Sequence, residues 1–169
     1  MMSGEGTGME IGYLLAVVGA VLVSTLSGIG SAWGVSIPAR AANGLLSEEP
    51  EKFGNTLILV ALPGSQGIYG FISGVVVMIV LGVFGGPLKH PTLLQGVTIF
   101  VICCFQTAVQ WISSLYQAKV CAAGIAIVAK HPEDSMKGVV NAVMVETYAV
   151  LGLLITLLIL LFAIGPQLK

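Results

Sequence analysis

The sequence predicts an all-α integral membrane protein of four transmembrane helices, laid out as two duplicated antiparallel hairpins. Three observations predict it. Of the 169 residues 56% are hydrophobic and only 9% are charged, with a mean hydropathy of +1.00, whereas a soluble globular domain carries roughly 25% charged residues. The charges leave four long gaps, at 11–39, 53–88, 90–118 and 138–168, the last interrupted only by Glu146; each exceeds the ~20 residues a helix needs to cross a bilayer. Sliding the chain by 82 residues superposes Pro50-Glu51 on Pro132-Glu133, Ser31 on Ser113, Ala41 on Ala123 and Gly70 on Gly152. The identities are few, so the shared hairpin layout carries more of that argument than the matches. The expected organisation is a single membrane domain, 1–169, with hairpin 1 at 10–86 and hairpin 2 at 92–168. A net charge of −1 without any Lys/Arg cluster excludes a nucleic-acid-binding protein.

Helix 1 is expected over 10–45. It is rich in small residues, and Ser27/Ser31 and Gly30/Gly34 are small-xxx-small pairs, which let helix backbones approach closely in lipid. That fits packing within one chain and the inner wall of a ring equally well. A polar turn at 47–52 leads to helix 2, expected over 53–84 and interrupted by Pro63-Gly64. Proline lacks a backbone N–H and clashes with the preceding turn, so it kinks the helix and frees carbonyls. At bilayer depth such carbonyls must be re-satisfied, by a bound cation or by a neighbouring Ser or Gln. After the turn at 85–91, helix 3 runs to Ala129 with Ala118, Ala122 and Ala126 as a small-residue face; a second polar turn at 130–137 precedes helix 4.

Sidedness follows from the cations. Arg40, Lys52, Lys119, Lys130 and Lys137 fall toward the 40–52 and 130–137 turns, and only Lys89 and Lys169 toward the other side, which places those two turns in the cytoplasm and both termini outside. Residues 1–10 carry Glu5 and Glu10 but no Lys or Arg, so no cleavable signal peptide is expected. Cys103, Cys104 and Cys121 have no His or Cys at ligand spacing and read as reduced, buried, small apolar residues. His90 and His131, beside Pro91 and Pro132, read as solvated turn residues.

Glu146 is the focus. An ionisable group at bilayer depth costs a few kcal/mol even on lenient insertion scales, and is by default a functional hypothesis; the bland alternative is a protonated acid closing a local hydrogen bond. On helix 2, Leu62, Ser65, Gln66 and Tyr69 have offsets 0, 3, 4 and 7 and share one face. Gln66 lies fourteen residues beyond Lys52, Gln117 fourteen before His131, and Glu146 eleven beyond Ser135; at about 1.5 Å per residue all three sit roughly 17 to 21 Å from the polar turns. Antiparallel hairpins therefore bring them to one layer. A carboxylate, two amide carbonyls, a hydroxyl and a backbone carbonyl form a hard oxygen set that suits a small cation such as Na⁺. A protonated Glu146 donating to a Gln carbonyl fits the same residues.

These residues carry a family resemblance. Leu62-Pro-Gly-Ser-Gln-Gly-Ile-Tyr-Gly-Phe71, Gln117-Ala-Lys-Val-Cys-Ala-Ala-Gly124 and Met144-Val-Glu-Thr-Tyr-Ala149, extended by Ser27-Gly-Ile-Gly-Ser31 and Pro50-Glu-Lys-Phe-Gly54, closely resemble the proteolipid subunit of V-type and archaeal-type rotary ATPases over nearly the whole chain. The resemblance implies a homo-oligomeric rotor ring. Its ion-carrying carboxylate would be Glu146, its Na⁺ ligands the Leu62 carbonyl, Ser65, Gln66, Gln117 and Glu146, and Tyr69 would support the carboxylate by a hydrogen bond. Proton-carrying relatives usually lack the Gln pair and the hydroxyl, so the pattern resembles the sodium branch, with H⁺ as the alternative cargo. Gly64 stands where the first hairpin of the family carries its carboxylate. Two departures are visible: Ser65, where sodium forms often have Thr, keeps a hydroxyl; Trp33 is bulky for an inner-ring face, and its expected place is the ring lumen. The resemblance further implies a stator subunit with an essential Arg, a central stalk docking on the polar turns (Glu48, Glu49, Glu51, Glu133, Asp134), a prokaryotic plasma membrane, and ATP chemistry on other subunits, with no catalytic site on this chain. A purely structural or pore-forming hairpin protein is the reading from another class, and it leaves the costly acid unexplained.

Overall fold

The computed structural model describes residues 2–168, all of them in helices, turns or short connections, with no strand among them. Lys169, counted above among the far-side cations, lies outside the described residues, as does the side chain of Glu5. Helix α1 runs Met2–Leu46, starting upstream of the expected position 10. The second span is α2, Phe53–Ala61, and α3, Ser65–Val80, joined by a single 3₁₀ turn at Leu62–Gly64. The third span is α4, Leu93–Lys130, and the fourth begins with α5, Ser135–Leu158, and tightens through a π-helical turn, Ile159–Ile164, into a 3₁₀ turn, Gly165–Gln167. All four are long and apolar enough to cross a membrane.

The local chemistry explains the ends. Thr92 caps α4 through a capping box: its Oγ1 accepts from Gln95 N at 3.3 Å while Gln95 Oε1 accepts from Thr92 N at 2.9 Å. The second span stops at Val80 rather than at the expected Phe84. Gly82 has φ +79°, and the N–H groups of Gly82 and Val83 turn back to the Ile79 and Met78 carbonyls; this is the glycine-terminated Schellman arrangement, which a run of apolar residues cannot announce by itself.

At one end of the bundle the two polar turns are tied together: Lys52 Nζ donates to the Ala129 carbonyl and Asn55 Nδ2 to the Pro132 carbonyl, both at 2.7 Å. At the other end Lys89 Nζ donates to the Gly165 carbonyl at 3.3 Å. Two apolar clusters lie between. One, toward the 81–92 end, is centred on Val23, Val77, Leu81, Ile99 and Leu160; the other, toward the polar turns, on Leu59, Ile125, Val128 and Ala142. They bracket a middle layer of buried polar side chains, among them Gln66, Ser73, Gln106, Gln110, Ser114 and Gln117.

The duplication is visible in the contacts. Gly70 packs against Ser27, and Gly152 against Val109; Gly74 packs against Ser24, and Thr156 Oγ1 donates to Gln106 Oε1 at 3.3 Å. In each case the second pair stands 82 positions after the first. Close approach requires glycine at Gly34, where a Cβ would collide with Ser114 and lie 3.2 Å from the Pro63 ring.

Two residues differ from the sequence reading. Lys119 does not flank a turn: it lies inside α4, eleven residues before Lys130, exposed, with its Nζ 4.9 Å from the Tyr116 ring centroid. The apolar gap at 90–118 ended at Lys119, but the helix did not, because a lone lysine with a long stem is tolerated where its head can reach polar surroundings. Cys103 and Cys121 are buried and free as expected, but Cys104 is exposed; adjacent residues on a helix point about 100° apart, so Cys103 and Cys104 cannot share one buried face. The two histidines are exposed, with His90 6.1 Å from the Tyr13 ring and His131 beside Glu133.

Candidate ion-binding site

The site grows out of the kink at Pro63. Proline cannot donate, and the 3₁₀ turn over Leu62–Gly64 turns carbonyls away from the helix axis. Two of them are taken by hydroxyls. Ser65 Oγ donates to the Leu62 carbonyl at 2.9 Å, and Ser114 Oγ, on α4, donates to the Pro63 carbonyl at 2.8 Å. A side-chain hydroxyl therefore reaches each of these two carbonyls.

From Ser65 a chain of contacts leads to the carboxylate. Ser65 Oγ is 3.4 Å from Gln66 Oε1, and Gln66 Nε2 donates to Gln117 Oε1 at 2.6 Å. Gln117 Nε2 donates both to the Ala142 carbonyl at 3.1 Å and to Glu146 Oε2 at 3.3 Å. Tyr69, one turn beyond Gln66 on α3, donates its hydroxyl to Glu146 Oε1 at 2.6 Å. The structure thus brings together all six residues singled out in the sequence: Leu62, Ser65, Gln66, Tyr69, Gln117 and Glu146. Gln66 and Gln117 are fully buried, whereas Glu146 is half-buried. The outer side of Glu146 opens on a cavity of about 360 Å³ lined by Val143, Thr147, Val150 and Leu151.

Chemically this is one carboxylate held by a phenol hydroxyl and an amide N–H on the side facing the protein, with mostly apolar side chains on the other. Both Glu146 oxygens accept hydrogen bonds, a set suited to the ionised acid, which offers acceptors only. Among the described residues no group of three or more His, Cys, Asp or Glu comes together, so a single negative charge has to serve. Soft or multiply charged ions prefer richer donor sets.

Sequence reasoning missed three contributors. Ser114 also donates to the Gly30 carbonyl at 3.3 Å and so ties α1, the kink and α4 together. Gln110 Nε2 donates to the Ala149 carbonyl at 3.0 Å, and Gln106 Nε2 to Ser73 Oγ at 3.4 Å. The signal was present: Gln106, Gln110 and Gln117 have offsets 0, 4 and 11, which fall on one helix face. The proposed stalk-docking acids Glu48, Glu49, Glu51, Glu133 and Asp134 stand apart from this site, in the two turns at the polar end. Glu49 pairs with Lys52 at 2.6 Å and Asp134 with Lys137 at 2.8 Å.

The sequence model of the ATP synthase C-subunit family matches the chain twice, over residues 18–81 and 95–159. The chain belongs to the ATP synthase C-subunit family. The two matches coincide with the two hairpins, so the family unit is present in duplicate. Among characterised proteins it is similar to the V-type sodium ATPase subunit K of Enterococcus hirae, with 41% identity over 152 residues that cover 90% of this chain and 94% of that protein. It is also similar to the A-type ATP synthase subunit K of Methanocaldococcus jannaschii, with 32% identity over 147 residues, 87% of this chain and 62% of that one. Family membership and four membrane-spanning helices make this C-subunit relative an integral, multi-pass membrane protein.

Proposed function

We propose that this chain is the rotor-ring subunit of a V-type rotary ATPase and carries Na⁺ across the membrane on Glu146. The observation that carries this reading is the chain of contacts that links the Leu62 carbonyl, Ser65, Gln66 and Gln117 to one carboxylate within an apolar span. The similarity to a V-type sodium ATPase subunit supports the same cargo. With its ion bound, Glu146 is neutral and its half-exposed side can face lipid; without it, a bare charge at that depth is costly. Tyr69 holds the carboxylate in place for reloading.

In this reading the chain is one membrane unit of two hairpins, 10–86 and 92–168, assembled into a homo-oligomeric ring. A stator Arg displaces the ion from Glu146 at a half-channel, and rotation returns the reloaded site through lipid. Moving one charge against the membrane potential takes about 2.3 kcal/mol per 100 mV, supplied by ATP chemistry on other subunits; this chain contributes no catalytic residue. The turns at 46–53 and 130–137 face the cytoplasm, with both termini on the other side of a prokaryotic plasma membrane, and Glu48, Glu49, Glu51, Glu133 and Asp134 present the acidic surface on which a central stalk docks.

The test is carbodiimide labelling of Glu146 in detergent-purified protein, titrated with Na⁺ at several pH values. Carbodiimide attacks the protonated, ion-free acid. Protection by millimolar Na⁺ near neutral pH is the expected result. Labelling that follows pH and ignores Na⁺ assigns the cargo to H⁺, and absence of labelling under every condition removes Glu146 from the transport path.

A further inference from the structure

The duplication relates not only elements but also the surfaces on which they dock. Within the chain, α4 seats on the first hairpin at three places: Trp111 against Gly30, Ser114 against Gly34 and Pro63, and Gln117 against Gln66. The residues 82 positions after the receiving ones are Ile112, Tyr116, Val145 and Tyr148. These four, with Phe105 and Ser113, line a groove of about 400 Å³ between α4 and α5. Ile112, Tyr116 and Tyr148 are 55%, 59% and 70% exposed there. The groove is therefore the second hairpin's version of the surface that, on the first hairpin, is covered by the chain's own α4. The residues 82 positions before the seating ones are Ile29, Ala32 and Val35 on α1. Ile29 and Ala32 are exposed among the described residues.

We infer that this groove receives α1 of a second copy of the chain, with Ile29 against Ile112, Ala32 against Tyr116 and Val145, and Val35 against Tyr148. The inference rests on the ring reading above and gives it a register. Large and small residues exchange sides between the two seams. Inside the chain the hole is glycine (Gly30, Gly34) and the knob comes from α4 (Trp111, Ser114); between copies the α4 side is large (Ile112, Tyr116) and the α1 side small (Ala32). At one position each seam sets a large residue on a small one, Trp111 on Gly30 within the chain and Tyr116 on Ala32 between copies, as close helix packing favours. The contact is heterologous, because the groove is on one flank and its filler on the other, so repetition closes a ring or extends a filament rather than stopping at a dimer.

A functional consequence follows. The counterpart of the Gln66–Gln117 amide pair is Tyr148 against Val35 of the next copy, and the counterpart of Glu146 is Gly64. The seam between copies carries neither a carboxylate nor an amide pair, so every ion site is complete within one chain and no ligand is borrowed from a neighbour.

The experiment is disulfide trapping in membranes that carry the full chain, in a Cys103→Ala, Cys104→Ala, Cys121→Ala background. Helices packed as closely as α1 and α4 at Gly34 and Ser114 bring Cα atoms within the roughly 4.4–6.8 Å a disulfide needs. Copper oxidation of the Ala32→Cys/Tyr116→Cys variant should yield a ladder of multimers on a denaturing gel. Each single variant should stay monomeric, as should Ala32→Cys/Phe105→Cys, displaced by about 16 Å along α4. A dimer from a single variant, or a ladder only from the displaced pair, overturns the register. A steric exchange in the native-cysteine chain covers failure of that background: Ala32→Tyr should lose the multimer on a native gel and Ala32→Tyr/Tyr116→Ala should regain it; an Ala32→Tyr chain that assembles like the parent overturns the inference. Glutaraldehyde, which reads proximity without register, separates the two readings. Its ladder without any from the in-register cysteine pair rejects this seam and keeps the ring, whereas no glutaraldehyde ladder rejects the ring itself.

Discussion

Positions 64 and 146 are equivalents in the duplicated halves, one a glycine and the other the acid on which the site is built. Around Gly64 the scaffold is apolar: a Cβ built there would meet only Val35 Cγ2, at 3.5 Å. Around Glu146 stand Tyr69 and Gln117, with Gln66, Ser65 and the Leu62 carbonyl behind them. The same helix hairpin thus serves once as packing and once as the frame of the candidate site. The difference is local and asymmetric, because the acid on α5 takes one partner from α4 of its own half and another from α3 of the other half. Keeping one carboxylate instead of two spares the chain a second membrane charge, which costs about 2.5–3.5 kcal/mol on insertion scales.

The comparison breaks most completely with Glu146→Gln, which makes both halves neutral. The amide keeps the shape and one acceptor but cannot hold a cation against displacement. Ion transport by the assembled complex should fall to background while assembly on a native gel is retained, measured as ²²Na⁺ uptake into vesicles. Uptake at the parental rate would refute the role assigned to Glu146.

Gly64→Glu inverts the comparison by giving the first half its missing acid. There is space for the Cβ but no amide or hydroxyl corresponding to Gln117, since the equivalent position on α1 is Val35. The new acid should be labelled by carbodiimide whatever the Na⁺ concentration, while Glu146 in the same chain stays protected. Equal Na⁺ protection at both acids would mean that the partners around Glu146 do not create the selectivity.

How much of this was legible in the sequence depends on the physics that each feature obeys. Four spans and their pairing were legible because a bilayer sets a minimum apolar length, and Glu146 because charge in such a run is costly. Depth was legible through helix rise, which is why Gln66, Gln117 and Glu146, counted from different turns, do meet. What hid was whatever depends on angle or on backbone shape. The end of α3 at Val80 depends on the positive φ of Gly82; the exposure of Cys104 beside buried Cys103 depends on helix rotation; and Ser114 bonds to the Pro63 carbonyl, which sits in the 3₁₀ turn at Leu62–Gly64. The Ser113-Ser114 pair carries no such information by itself.

Gln117→Ala sharpens the comparison from the side of the partners. The substitution removes one hydrogen bond to the carboxylate and one from the buried Gln66 amide. A hydrogen bond to a charged group is worth about 1.5–3 kcal/mol, or roughly 10- to 100-fold. The Na⁺ concentration that half-protects Glu146 should rise by about that factor, with the labelling rate at zero Na⁺ little changed. An unmoved midpoint would favour a proton as cargo.

The smallest expected effect comes from Ser114→Ala, and its interest lies in where it acts. Ser114 touches no part of Glu146; it holds the Pro63 carbonyl at 2.8 Å, next to the Leu62 carbonyl that Ser65 shares. Losing one neutral hydrogen bond costs about 0.5–1.5 kcal/mol, a few-fold in an equilibrium constant. If the kink orients the Leu62 carbonyl, that few-fold should appear in the Na⁺ protection midpoint and not in the thermal stability of the chain alone, and Ser114→Thr, which keeps the hydroxyl, should restore it. Gly34→Ala is the contrasting change, because its Cβ would collide with Ser114 and push α1 from α4, lowering stability and assembly together. A Ser114→Ala chain that loses stability but binds Na⁺ like the parent would make the serine a packing residue, and the first half's kink would then hold its shape without help from the second.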